Sequence, residues 1–197
     1  MNNHEELDII SQVRGEVMGR NDITGENLFL AWGYPTAFVL LLEFAALLIW
    51  NEDWCNWLWA GIPLMGVPLM MYFMNEDYER TRHRTLDQNV ILMMWVFIGF
   101  ASCVGGAAMG FAGVFRFSFF AYMSLLCGMG CFLTGIILHF RPKTICGIIA
   151  SALSAVPLFF QDDHWPWQLL ISAVIVTIAL IIPGHLFRRY VRGLRTR

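Results

Sequence analysis

Long apolar runs alternate with short polar ones along the chain, and six of them approach or reach the ~20 residues that a membrane-crossing helix needs. They read Leu28–Trp50, Trp57–Met74, Val90–Phe111, Ser118–Phe140, Ile145–Gln161 and Trp167–Phe187. The fifth is the shortest and contains Pro157, yet Arg141 and Lys143 before it and Asp162 and Asp163 after it mark its exits. Ahead of the first run, Leu7, Ile10, Val13 or Arg14, and Val17 recur at helical spacing, with Asn3 as an N-cap and Glu6 three residues on. The expected fold is all-α: a polytopic membrane protein of six transmembrane helices in three hairpins, preceded by a short amphipathic cytoplasmic helix. The chain then divides into an N-terminal cytoplasmic segment (1–27), the transmembrane bundle (28–187) and a basic cytoplasmic tail (188–197).

Charge orients the bundle, because cytoplasmic segments collect Lys and Arg close to helix ends. With the N-terminus inside, twelve of the thirteen basic residues fall on inner segments, from Arg14 and Arg20 through Arg80, Arg82, Arg84, Arg141 and Lys143 to the five arginines after Phe187. Only Arg116 falls outside. Trp50, Trp54, Trp57, Trp59, Trp165 and Trp167 gather at the opposite interface, where an amphipathic ring is favoured. Both termini are therefore expected in the cytoplasm. Met1–Asn27 lacks the basic start and apolar core of a secretory signal, so the first apolar segment is expected to remain as a helix.

Composition agrees with a lipid solvent: 57% of the residues are hydrophobic and 14% charged, a ratio that one soluble core of this size could not accommodate. A net charge of -2, with basic residues scattered over segment ends, argues against nucleic-acid binding. Cys103, Cys127, Cys131 and Cys146 lie inside apolar runs and Cys55 in an outer loop, which is no disulfide framework.

The order of short motifs has a resemblance. Glu26-Asn27-Leu28-Phe29-Leu30-Ala31-Trp32-Gly33-Tyr34, Trp57-Leu58-Trp59 with Ile62-Pro63, Gly128-Met129-Gly130 with Leu133-Thr134-Gly135 and Phe140-Arg141-Pro142, and Ile182-Pro183-Gly184-His185 together resemble a family of uncharacterised six-helix bacterial inner-membrane proteins of anaerobic gut bacteria. That resemblance implies the topology and an inner-membrane location. It implies no activity, because the family carries none.

Glu43 is the one formal charge deep inside an expected span, seven residues before Trp50 and roughly 10 Å along the helix from its outer end. Such a carboxyl group must be protonated, paired or in contact with water, and it is the candidate transport or coupling site. Its structural role would be a hydrogen bond to a neighbouring helix. Met123, Cys127 and Cys131 repeat every four residues on the fourth span and would suit Cu(I), but buried thiols and thioethers ordinarily act as apolar filler, so no metal site is expected.

Gly106 and Gly110 stand in GxxxG register on the glycine-rich third span, which is expected to pack closely, either centrally in the bundle or in a homodimer. Pro68 and Pro157 are the prolines expected deep in a span, where a broken helix can expose carbonyls. The outer acids Glu52, Asp53, Asp162 and Asp163 read as loop filler, and His139 and His185 as caps at inner helix ends.

Enzyme signatures are missing: no phosphate-binding glycine loop, HExxH or GxSxG elbow occurs, so neither catalytic residues nor a cofactor is expected. The expected role is a non-enzymatic regulatory or scaffolding component, with the lipid bilayer, a cytoplasmic protein partner and a second copy through the third span as its partners. The alternative is a small oligomeric transporter or channel using Glu43 as a proton or cation site.

Overall fold

The computed structural model describes residues 23–50, 53–81, 86–111, 115–160 and 166–195. Among them every element is helical. Helix α1 spans Ile23–Ile49, a 3-10 turn spans Asp53–Ala60, α2 spans Gly61–Thr81, α3 spans Leu86–Phe111 and α4 spans Phe115–Ile137. Then come α5 over Arg141–Leu153, a second 3-10 turn over Val156–Phe159, and α6 over Trp167–Val176, which runs through a π-helical segment, Thr177–Ile181, into α7 over Ile182–Arg195. The amphipathic helix expected around Leu7–Val17 lies outside the described residues.

Five stretches are long and apolar enough to cross a membrane: Phe29–Ile49, Asn89–Met109, Phe119–Ile137, Arg141–Phe159 and Trp167–Tyr190. At 1.5 Å per residue, the 21 residues of Phe29–Ile49 match a hydrocarbon core of roughly 30 Å. The second expected span appears as a shorter apolar stretch, Trp57–Phe73, whose first residues wind as a 3-10 turn. The stretch expected as a basic tail is helical as far as Arg195, where α7 continues the sixth span, with Phe187 and Tyr190 packed against Phe140.

The inner joint between the fourth and fifth spans differs from the expectation that Arg141–Thr144 is a connection. Helix α4 closes at Ile137 in a Schellman motif: Phe140 N–H donates to Gly135 O, and His139 N–H to Ile136 O, with His139 left-handed at φ 51°. Pro142 then sits in the first turn of α5, where its missing N–H costs nothing and its fixed φ suits a helix start. Arg141–Thr144 is therefore helix. That turn carries Lys143 inward, so a residue expected to mark an exit is only 2% exposed.

The far end of the fifth span tightens because Pro157 has no N–H for the carbonyl four residues back. Ser154, Leu158 and Phe160 make three-residue-apart bonds instead, and Ser154 Oγ–H donates to Ser151 O at 2.6 Å. Pro157 thus lies at the end of the span and not deep within it.

Close helix approach is concentrated between α4 and α5. A Cβ on Gly135 would lie 2.5 Å from Thr144 N, one on Gly128 2.6 Å from Ser151 N, and one on Gly147 would fall on the backbone of Phe132. Helix α1 is the other organising element, packed on α2, α6, the π segment and α7. Phe44 against Trp167, Gly33 against Leu180 and Ile181, and Leu30 against Gly184 set α1 and α6–α7 in one antiparallel register. Helix α3, expected to lie centrally in the bundle or at a homodimer contact, is peripheral within the single chain: it packs on α4 and is the most exposed of the five long apolar stretches.

Candidate functional site

Glu43 emerges on the face of α1 turned into the bundle and is 1% exposed. The Trp59 side chain, carried by the first 3-10 turn, hydrogen-bonds its carboxyl group. Oε2 has no partner among the described residues. The register of α1 against α6 brings Glu43 level with the turn Gln168–Ser172, and that turn repeats the pattern. Gln168 Nε2–H donates to Phe160 O, while among the described residues its Oε1 has no partner and neither has Ser172 Oγ. Each unpaired buried oxygen costs about 1–3 kcal/mol, so each calls for a physical explanation.

Beside these groups lies a cavity of about 470 Å³, walled by α1, α2, α3, α4 and α6. Its shape follows from which helices pair. Helix α2 packs on α1 and α3 on α4, so these neighbours in sequence make at most marginal contact with each other. The space between them is floored by α6. Trp32, Trp59 and Trp95 supply much of the wall, and Thr36, Ser124 and Ser172 supply hydroxyls. Glu43 does not line the cavity, but Trp59, which holds it, does.

Polar rungs hold α3 in place as one wall. Trp95 Nε1–H donates to Thr134 Oγ1 at 3.1 Å, and Thr134 Oγ1–H donates in turn to Gly130 O at 2.6 Å. Tyr122 O–H donates to Ala101 O at 2.9 Å. Ser102 faces the cavity with its hydroxyl already donated to Ile98 O, so it offers no free donor.

At the basic end of the bundle, Lys143 Nζ stands 3.0 Å from the Phe29 ring centroid, a cation–π contact in a dry setting. Cys131 Sγ–H donates to Ala179 O at 2.8 Å, with Lys143 O at 3.5 Å. The Met123–Cys127–Cys131 stripe is therefore divided: Met123 and Cys127 line the cavity, and Cys131 points to the π segment. Cys55 is fully buried in the first 3-10 turn and not exposed in a loop.

His139 supplies the left-handed cap residue of α4, its Nδ1–H donating to Ile137 O at 3.1 Å. His185 is no cap; it shares a 2.6 Å hydrogen bond with the Tyr34 hydroxyl. A Cβ on Gly106 would meet only the Phe119 ring, at 3.0 Å, which places that glycine against a side chain and not a helix backbone. The surroundings of Gly110 and the side chains of Glu52, Asp53, Asp162 and Asp163 lie outside the described residues.

Of the residues weighed as candidate sites from the sequence, Met123 and Cys127 line the cavity and Glu43 lies behind it, held by Trp59. Gln168 and Ser172 were missed, and Trp32, Trp59 and Trp95 were not anticipated as a cavity wall. Gln168 and Ser172 are one helical turn apart in an apolar span, and that spacing was the available signal. Comparison with protein-family models, with curated proteins and with solved structures finds no match, and the resemblance in motif order therefore adds nothing to the assignment.

Proposed function

We propose that the chain is a six-span inner-membrane protein with both termini in the cytoplasm, and that it acts by binding, as a regulatory or scaffolding component, without turnover. The charge bias supports the orientation, with Arg188 and Arg189 exposed on the helical extension of the last span. The observation that carries the reading is the enclosure of Glu43: the acid is 1% exposed, bonded by Trp59 and separate from the cavity lining, which supports a place in a helix interface over one on a hydrated path. A carboxyl group placed in that way joins α1 to the 3-10 turn, as buried polar groups join membrane helices.

The unpartnered Oε2 of Glu43 favours the second reading, a proton- or cation-coupled transporter. Liposome flux separates the two. The binding role predicts no proton or cation flux above that of empty liposomes, and the same for Glu43→Gln. A flux present in the native chain and abolished by Glu43→Gln would replace the binding role with transport.

A further inference from the structure

We propose that the interhelical cavity binds one uncharged, lipid-soluble molecule carrying a single hydroxyl or carbonyl group, which enters sideways from the bilayer between α2 and α3. This goes beyond the scaffolding role and stands without it. The volume, about 470 Å³, falls within the roughly 300–1,000 Å³ of small-molecule sites. Water is a poor occupant, since an ordered water needs 2–4 polar partners and this wall is tryptophan, leucine, methionine and phenylalanine with a few scattered hydroxyls. An apolar molecule gains the dispersion contacts that the bare wall lacks.

The chemistry of the ligand's polar end follows from Ser172. Ser172 is 4% exposed and lines the cavity, and its hydroxyl has no partner among the described residues, so a bound hydroxyl or carbonyl would complete it. Ser124 and Thr36 add further hydroxyls to the same wall. Ser172 lies five residues into α6, roughly 8 Å along the helix from its start, and among the described residues no charged side chain lines the space. A charged phospholipid headgroup at that depth would be unpaired in hydrocarbon, which selects a neutral lipophile. The way in is set by the packing, because α2 and α3 are held by different partners and make at most marginal contact with each other.

Because Trp32, Trp59 and Trp95 line the cavity, their fluorescence reports occupancy. The experiment titrates dibromostearyl alcohol into the full chain in phospholipid nanodiscs. Saturable quenching, relieved by unbrominated stearyl alcohol, is expected, with a brominated phospholipid giving only unsaturable quenching. Ser172→Ala should raise the half-saturation point for the alcohol about tenfold, the equivalent of one hydrogen bond, and leave that of dibromooctadecane unchanged.

Gly99 lines the cavity and a Cβ there meets nothing within 4 Å, so Gly99→Phe fills the space. It should abolish the saturable component while the melting temperature holds or rises. Quenching that is linear in the probe and equal in Gly99→Phe would overturn the site. Saturation by the phospholipid at the same mole fraction, or an unaltered titration of the alcohol in Ser172→Ala, would overturn its selectivity. A dimer whose partner helix fills the opening between α2 and α3 would overturn lateral entry.

Discussion

Pro183 has no N–H to give the carbonyl of Ala179, and the chain meets that vacancy with a thiol: Cys131 Sγ–H reaches Ala179 O from a neighbouring helix. A buried carbonyl left without a donor in a low-dielectric interior costs about 1–3 kcal/mol, so Cys131→Ala should destabilise the bundle by about that amount and Cys131→Ser by less. Thermal unfolding in mild detergent ranks the three, and equal melting temperatures would show the thiol to be apolar filler only. His139 carries the opposite lesson. An L-residue at φ 51° bears a steric cost of roughly 1 kcal/mol that glycine does not, so His139→Gly should raise the melting temperature even though a ring hydrogen bond is lost.

For the elements, the contrast lies between two glycine-bearing helices. In α4 and α5, glycines let backbones touch, and the Cβ of Gly147→Ala has no room against Phe132, so that substitution should cost about 1–3 kcal/mol through forced separation of the pair. Gly99→Ala on α3 meets open space and should gain about 0.8–1.0 kcal/mol of helix propensity. Measured by unfolding of the two variants side by side, the signs should differ; a shared sign would mean that the α4–α5 contact is looser than its geometry. The GxxxG register of Gly106 and Gly110 pointed to α3, but register alone does not say whether a partner helix is present. The tight pair is instead the one joined by a capped turn, where His139 and Pro142 turn the chain within three residues.

Over the whole molecule, the arrangement places the aromatic end and the basic end at opposite poles of the bundle. The charge bias predicts that a fluorescent reporter fused after Arg197 folds and fluoresces in the cytoplasm, and that alkaline phosphatase fused there is inactive. Active phosphatase at that position would invert the topology. The cavity is also a property of this scale, since five helices contribute to its wall and none would contain it alone.

Much of the span pattern was legible from the chain because a lipid solvent demands about 20 apolar residues per crossing, whatever the packing. Glu43 was legible for the same reason: one acid in such a run stands out. Helix ends were less so, because Arg141–Thr144 reads as a basic loop until the cap formed by His139 and Phe140 is seen. What hydropathy cannot distinguish is an apolar residue that faces lipid from one that faces another helix or an empty space. Phe97 and Phe120 look alike in sequence, yet one is exposed and the other walls the cavity. The sequence by itself thus determined that the chain is helical and membrane-embedded, since that follows from the solvent each residue tolerates. Only the tertiary structure decided which helices touch, that α2 and α3 stand apart, and that Glu43 is enclosed beside a cavity, because those are outcomes of side-chain and backbone fit between distant segments.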